Sequence, residues 1–291
     1  MREPLVNEIS SPSTRDPVFL SEVARRIRRY AIEMTAAARS GHATSALSIA
    51  EIMAVLYFSE LRVDPAHPSD PDRDRFVLSK GHGCPALYAA LAMRGFFPEE
   101  ELWTFRKLGS RLQGHPDVLK CPGVEMSTGS LGQGLSVGMG MALAARLDGR
   151  SYRVYVLLGD GECQEGQVWE AAMSAAHYAL DNLVAIVDRN GIQQSARTED
   201  LCALEPLTAK WEAFGWRALE IDGHSIPEIL GAFDEARRTE GKPVVIVART
   251  KKGKGVSFLE DRLGWHGKPP DPQQRELALK ELDRDGEARP V

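Results

Sequence analysis

The chain alternates short aliphatic runs with longer stretches in which apolar residues recur at helical spacing. The short runs are rich in β-branched residues, which is typical of strands that are buried on both faces of a sheet. The pattern predicts strands at residues 75–79, 152–158, 183–188, 217–221 and 244–248. Helical stretches separate these strands, and such alternation favours an α/β fold with one open, mostly parallel sheet and helices on both faces.

The helical stretches carry apolar stripes among charged residues, as amphipathic helices do. They predict helices at residues 18–39, 45–58, 85–93, 99–108, 131–147, 167–180 and 226–239. Residues 1–17 are polar and lack periodicity, so we expect a flexible leader there. Residues 18–270 are expected to form one domain, followed by a charged and helical C-terminal segment at 271–291.

One strand–helix–strand unit, at residues 152–192, carries polar residues at both strand ends. The first strand stops at Gly159-Asp160-Gly161, where two glycines allow a tight turn and close approach of a ligand. The second strand runs into Arg189-Asn190-Gly191. Ligands of open α/β sheets bind at the carboxyl ends of the strands, so Asp160 and Asn190 are expected at the same edge.

These residues match the chemistry of a hard cation. Mg²⁺ and Ca²⁺ prefer oxygen ligands, and Asp160 offers a carboxylate, Asn190 an amide oxygen and Ile192 a backbone carbonyl. The amides around Gly161, at the start of the next helix, could donate to a diphosphate. Gly-Asp-Gly alone is more often a surface turn, but the ordered set of strand, turn, helix, strand and Asn190 favours a metal–diphosphate site.

Composition restricts the class of partner and the compartment. The 291 residues are 43% hydrophobic and 26% charged, as in soluble globular proteins, and the net charge of −5 gives no reason to expect nucleic acid or membrane as a partner. No apolar run is long enough to span a bilayer. The four cysteines form no Cys-x-x-Cys pair, which argues against zinc or disulfides and favours reduced thiols in the cytoplasm.

Four of the seven histidines stand beside glycines in predicted loops: His42, His82, His115 and His266. A lone histidine is more often structural than catalytic, but loops at the ends of strands and helices frequently carry active-site residues. The other three histidines receive no role. A glycine-rich turn at residues 128–134 feeds a helix and offers further backbone donors, with a spacing that differs from the nicotinamide-binding fingerprint.

The segment GDGECQEGQVWEAAMSAAHYALDNLVAIVDRNG resembles thiamine-diphosphate enzymes, and among them the N-terminal chain of a two-subunit transketolase. The motifs SGH, LSKGH, LQGH and WHG, which end at or surround the four histidines, are similar to those of the same family, as is LGSRLQGHPD. The resemblance covers roughly residues 18–270. It implies thiamine diphosphate as cofactor, with Mg²⁺ (or Ca²⁺) held by Asp160, Asn190 and the Ile192 carbonyl.

The resemblance also implies roles for single residues. His82 and His266 would lie nearest the cofactor, His42 and His266 would contact the donor sugar, and His115 would serve the C1 hydroxyl end of the ketose. The residues expected to touch the cofactor are His82, Gly129, Ser130, Leu131, Asp160, Gly161, Asn190 and His266. Glu165 and Glu170 would face a partner domain.

The resemblance further implies a partner, because family members use a pyrimidine-binding domain with an activating glutamate that is not recognisable here. We expect a C-terminal transketolase subunit that carries this domain, an α2β2 assembly, and substrate-phosphate ligands on the partner. The implied reaction moves a two-carbon ketol unit from a ketose phosphate to an aldose phosphate. Alternatives are another acyloin-forming or 2-oxoacid-using carboligase and a non-catalytic regulatory subunit; the complete set of Asp160, Asn190 and four histidines disfavours the regulatory subunit.

Overall fold

The computed structural model describes residues 15–287, with side chains described up to residue 284. A five-stranded sheet has the order β1-β2-β3-β5-β4, and every recorded pairing is parallel. The strands are β1 (Arg75–Leu78), β2 (Val154–Gly159), β3 (Leu183–Arg189), β4 (Arg217–Asp222) and β5 (Val244–Arg249). The predicted strands are therefore confirmed, with ends that differ by at most two residues.

Helices cover both faces of this sheet, as predicted. They are α1 (Pro17–Ala38), α2 (Ala43–Leu47), α3 (Ala50–Val55), α4 (Cys84–Met93), α5 (Gln133–Leu147), α6 (Gly166–His177), α7 (Thr198–Leu201), α8 (Leu207–Ala213), α9 (Ile226–Arg238) and α10 (Pro272–Glu287). One apolar core joins α1, α3, α4 and α9 to strand residues such as Leu157 and Ile186. A second core joins α5, α6 and α8 to the alternate residues, such as Val156 and Val187. This alternation is the two-residue period of a strand with both faces buried.

Several predicted helices differ from those in the structure. The predicted helix 45–58 is divided into α2, α3 and a π-helical turn, Leu56–Glu60, because Ile49 leaves helical geometry and the Ser48 hydroxyl bonds to Asp188. The predicted helix 99–108 is only a 3₁₀ segment, Glu99–Thr104. Helix α5 begins at Gln133, two residues late, since Gly132 is left-handed with φ 85°. The short helices α7 and α8 were not predicted.

The first and last helices meet on one side of the domain. Asp16 accepts a hydrogen bond from the Val18 amide and caps α1, which begins within the predicted leader; residues 1–14 of that leader lie outside the described residues. Helix α10 packs on α1 and buries Ala278 and Leu282, while Asp283 pairs with arginines of α1. The C-terminal segment is thus helical where it is described, as predicted, and it contributes to the core.

The lengths and hydropathy of the helices bear on the expectation that no segment spans a bilayer. Over residues 15–287, no helix is both long and apolar enough to cross a membrane. The compartment and the limits of the domain remain predictions.

Candidate functional site

A cavity of about 340 Å³ opens at the carboxyl edge of the sheet, beyond the ends of β1, β2 and β3. The predicted site residues that line it are His42, His82, His115, Gly129, Leu131, Asp160, Gly161, Asn190, Ile192 and His266. The remaining predicted residue, Ser130, is exposed and is not part of the lining. The cavity therefore brings together residues from loops that lie far apart in the sequence.

The pairing of β2 with β3 brings Asp160 and Asn190, two of the residues predicted to hold a metal, to neighbouring strand ends. Gly159 is opposite Asp188 in the parallel register, so Asp160 and Asn190 follow neighbouring strand ends. Asp160 is only 2% exposed, and its carboxylate accepts from the amides of Gly161 and Gly191, both at 2.7 Å. These bonds fix the direction of the carboxylate at the cavity.

Asp160 also has a cationic neighbour that the sequence analysis did not identify. The Arg189 guanidinium donates to the Asp160 carboxylate at 2.8 Å and pairs with Glu199 and Glu205 as well. Arg189 would still be paired with these two glutamates if a metal bound to Asp160. Its position directly after the predicted strand 183–188 was the only signal in the sequence.

The amide of Asn190 is oriented by a buried carboxylate. Its Nδ2 donates to Asp188 at 2.9 Å, and its Oδ1 accepts from the Ile192 amide at 3.1 Å. Because a carboxylate accepts only, this contact assigns nitrogen to the Asp188 side of the amide and oxygen to the other side. Asp160, Asn190 and the Ile192 carbonyl thus offer a carboxylate, an amide oxygen and a carbonyl oxygen, which fit Mg²⁺ or Ca²⁺.

This oxygen set differs from sites built from histidine, cysteine and acidic side chains. Within residues 15–287, no group of three or more such side chains could hold a metal ion. A site that uses one carboxylate, one amide and one backbone carbonyl contains too few of those side chains to form such a group. The metal assignment remains a prediction.

A fully buried ion pair lies beneath the cavity. Lys80, the second residue after β1, places its Nζ 2.5 Å from Asp188, and the hydroxyls of Ser48 and Thr250 also donate to this carboxylate. Burial alone would raise the pKa of Asp188, but the Lys80 ammonium and these donors lower it. The pair connects β1 to β3 below Asn190. Sequence reasoning missed both residues.

A second buried carboxylate connects the glycine-rich turn to the Gly-Asp-Gly turn. Glu162 accepts from the Ser79 hydroxyl, from the Gly132 amide at 2.9 Å and from the Gly159 amide at 2.9 Å. Burial raises its pKa, and the three donors oppose this effect. Glu162 therefore holds the turn that carries Gly129 and Leu131 against the ends of β1 and β2. The sequence analysis did not single it out.

The four loop histidines form one cluster. Ring centroids are 5.0 Å apart for His42 and His266, 5.0 Å for His82 and His266, 5.2 Å for His42 and His82, and 6.4 Å for His42 and His115. The Thr44 hydroxyl donates to the Trp265 carbonyl at 3.1 Å and so connects the loops of His42 and His266. The structure therefore brings together all four histidines that the sequence singled out.

The histidines of the cluster are neutral near pH 7. Burial, together with the charge of Arg106, lowers the pKa of His42 to about 4, and burial with Lys252 lowers that of His266 to about 3. The pKa values of His82 and His115 are also lowered, mainly by burial. A neutral imidazole has one donor and one acceptor nitrogen, so each ring can hold a hydroxyl or a carbonyl oxygen.

Lys252 sets the tautomer of His266. Its Nζ lies 2.9 Å from His266 Nδ1 and 2.8 Å from the Ile192 carbonyl. An ammonium only donates, so Nδ1 accepts and the proton of the neutral ring is on Nε2. Lys252 is only 3% exposed, and burial lowers its pKa to about 8. Sequence reasoning did not single out Lys252; the position of this cation beside the oxygen set suits a diphosphate.

Comparison with known proteins agrees with this geometry. Residues 20–283 match the model of the family described as "Transketolase, thiamine diphosphate binding domain". The chain belongs to the transketolase family. Among solved structures, transketolase from Campylobacter jejuni superposes with a TM-score of 0.87 at 33% identity, covering 92% of this chain and 43% of that one.

Coverage of the curated relatives distinguishes two kinds of transketolase. One subunit of the 6-deoxy-6-sulfo-D-fructose transketolase from Clostridium sp. (strain MSTE9) is 46% identical over 92% of this chain and 98% of its own length. One subunit of the apulose-4-phosphate transketolase from Phocaeicola vulgatus is 45% identical over 88% and 90%. Transketolase of Pongo abelii is 48% identical, but only 42% of it is covered. The chain corresponds to the N-terminal, thiamine-diphosphate-binding subunit of a two-chain transketolase.

Proposed function

We propose that this transketolase chain, with a partner subunit, transfers a two-carbon ketol unit from a ketose phosphate to an aldose phosphate. The observation that carries the proposal is the single cavity shared by four adjacent neutral histidines and by the oxygen set of Asp160, Asn190 and Ile192. A hard cation with a diphosphate fits the oxygen set, and sugar hydroxyls fit the histidines. A site for the cation and diphosphate alone would not need the histidines, and a site for a sugar alone would not need the oxygen set.

The proposal assigns the cofactor contacts as follows. Asp160, Asn190 and the Ile192 carbonyl would hold Mg²⁺ (or Ca²⁺), and Lys252 would give a cation to the diphosphate. Other contacts are assigned to His82, Gly129, Ser130, Leu131, Gly161 and His266. When bound, thiamine diphosphate supplies the carbon nucleophile and electron sink for cleavage next to a carbonyl.

The histidines of this chain would bind and orient the sugar. His266 Nε2–H points away from Lys252 and can donate to an oxygen on which negative charge develops. Nδ1 of His42 is buried and has no hydrogen-bond partner in the described structure, so a sugar hydroxyl could donate to it or accept from it. Because these rings are neutral at pH 7, they can also move a proton between hydroxyl and carbonyl oxygens.

The proposed partner is a C-terminal chain with a pyrimidine-binding domain and its glutamate, assembled as α2β2. Helices α5 and α6 support an interface, since Val137, Leu147 and Met173 are exposed apolar residues on them. Glu165 is exposed and lines the cavity, and Glu170 is exposed on α6, where both can face a partner. Two-fold symmetry would then pair two copies of each chain.

A comparison of donors tests the proposed reaction. The chain is assembled with its partner and supplied with an aldose phosphate plus either a ketose phosphate or a 2-oxoacid. We expect transfer from the ketose phosphate, because the four histidines offer donors and acceptors for several hydroxyls. Turnover with the 2-oxoacid and none with any ketose phosphate would instead identify a carboligase of another class.

A further inference from the structure

His224, a histidine to which the sequence gave no role, lies in the turn between β4 and α9. It is not among the described residues that line the cofactor cavity. Its Nε2 accepts a hydrogen bond from the Lys251 amide at 2.8 Å, and its Nδ1 lies 3.0 Å from a Glu51 oxygen. A backbone amide only donates and a carboxylate only accepts, so the ring is neutral and its proton is on Nδ1.

A buried ion pair holds the ring in this orientation. Arg28 Nη2 donates to the same Glu51 oxygen at 2.5 Å, and Arg28 Nε donates to the Leu47 carbonyl at 3.2 Å. Burial disfavours a charge on Glu51, but Arg28 and the hydrogen bond from His224 lower the pKa of Glu51 to about 2. Glu51 is therefore a carboxylate near pH 7. Helices α1 and α3 thus fix the nitrogen of His224 that faces away from Lys251.

The segment after β5 carries Lys252 into the cofactor cavity. Hydrogen bonds from the Thr250 hydroxyl and from the Gly253 amide hold the two ends of this segment. Between them, the recorded hydrogen bond of the Lys251 amide is to His224. The two lysines have opposite surroundings, since the Lys251 side chain is 53% exposed and Lys252 is 3% exposed. The bond to His224 therefore lies at the point where the segment turns from solvent to the cavity.

The Lys252 ammonium depends on the position of this backbone. Its Nζ contacts the Ile192 carbonyl and His266 Nδ1, both on the side of the cavity assigned to the diphosphate. A lysine side chain is a flexible four-carbon stem, so its ammonium stays at one point only if backbone and partners are fixed. Movement of the segment would displace the cation and release His266 Nδ1.

We propose that His224 positions Lys252 in the cofactor cavity by holding the Lys251 amide, although His224 itself touches neither cofactor nor substrate. The inference deepens the proposed function, on which the diphosphate contact of Lys252 rests. A purely structural role is the competing explanation, because His224 also connects α3 to the turn after β4 through Glu51. The two ring nitrogens separate these roles, since Nδ1 faces Glu51 and Nε2 faces the segment of Lys252.

Two amide substitutions test the two nitrogens separately. Glutamine places its amide oxygen near the position of Nε2 and can still accept from the Lys251 amide, whereas asparagine reaches only the position of Nδ1. We expect His224→Asn to raise the Kd of the assembled enzyme for thiamine diphosphate with Mg²⁺ by about 10-fold, as is usual for the loss of an outer-shell partner. His224→Gln should retain most of the affinity.

A double variant shows whether the effect passes through Lys252. Lys252→Met should raise the same Kd by about 10- to 100-fold, the equivalent of a lost charged hydrogen bond. If His224 acts through this lysine, His224→Asn should weaken binding no further when Lys252 is already methionine. Ser225→Ala is the control, because it removes the hydroxyl that caps α9 in the same turn. It should lower the melting temperature and leave the Kd unchanged.

Lysine labelling measures the position of Lys252 without cofactor or turnover. The full chain is treated with acetic anhydride, and fragment mass spectrometry reads each lysine. Lys251 is exposed and serves as the internal reference, because it should react in every variant. Lys252 is buried and should react several-fold more in His224→Asn than in the unmodified chain, but not in His224→Gln or Ser225→Ala.

The outcomes distinguish this inference from the proposed function. Unchanged labelling of Lys252 in His224→Asn would overturn the inference, because the lysine would not have moved. Equal losses of affinity in His224→Asn and His224→Gln, in proportion to the fall in melting temperature, would also overturn it and leave a structural role. Increased labelling of Lys252 in His224→Asn, with an unchanged Kd in Lys252→Met, would support the positioning by His224 and contradict only the proposed diphosphate contact.

Discussion

Replacing His266 by alanine in the assembled enzyme should lower kcat by about 10²- to 10⁴-fold, the usual cost of a lost acid–base or oxyanion group. The neutral ring, with its Nε2 proton fixed by Lys252, can donate to a developing negative charge in the cavity. Affinity for thiamine diphosphate should change far less, because Asp160 and Asn190 remain. Steady-state kinetics and calorimetry of the same variant separate the two effects.

His42→Ala should behave in the same way, since the His42 ring lies 5.0 Å from that of His266 and has a buried nitrogen without a partner. His177→Ala is the control, because His177 is exposed on α6 and its recorded ring contact is with Tyr178 alone among the described residues. It should leave kcat unchanged. Only a small loss of kcat in both His266→Ala and His42→Ala would contradict a catalytic role for the cluster.

Replacing Asp160 by alanine should abolish metal-dependent binding of thiamine diphosphate. Removal of an outer-shell partner typically lowers metal affinity by roughly 10- to 100-fold. Asp160 is the charged member of the proposed oxygen set, so its loss should lower metal affinity by more than that. The strands should remain folded, since Arg189 keeps Glu199 and Glu205 as partners. Calorimetric titration of the assembled enzyme with cofactor, with and without Mg²⁺, measures the effect.

Glu205→Gln provides a matched control for Asp160→Ala. Glu205 contacts the same arginine, but it is not part of the cavity lining, so this variant should bind metal and cofactor normally. Circular dichroism should show that both variants are folded. If Asp160→Ala retained Mg²⁺-dependent binding at unmodified affinity, the assignment of the metal site would be wrong.

The parts of the fold and site that the sequence predicted follow from local patterns. The aliphatic runs that end at Asp160 and Asn190 predicted buried parallel strands, and parallel strands bring their carboxyl ends to one edge. The four glycine-flanked histidines could be selected because loops at that edge carry functional residues. The sequence predicted that Asp160 and Asn190 share an edge of the sheet, and the pairing of Gly159 with Asp188 agrees with this.

The parts that the sequence did not predict depend on contacts between distant residues. Lys80 and Asp188 are 108 positions apart, and Lys252 is 60 positions from the carbonyl that it contacts. Charged residues are usually exposed, so no local pattern indicates that these are buried. The interruption of the predicted helix at Ile49 has the same origin, since Ser48 bonds to Asp188 across the domain.

We expect this chain to depend on a partner subunit for activity. The chain spans almost the whole length of the split-transketolase subunits that it matches, but only about two fifths of the length of the single-chain transketolases. Among the described residues, His266, Asp160 and Lys252 line the cavity that we propose for the diphosphate side of the cofactor. We therefore expect the pyrimidine side of the site to come from the partner subunit.

The most direct measurement is ketol transfer and cofactor binding by the purified full chain, before and after addition of the partner subunit. We predict that the chain alone binds thiamine diphosphate weakly and transfers nothing, and that the partner restores both tight binding and turnover. Full ketol transfer by the isolated chain, at a rate that a second protein does not change, would contradict the account.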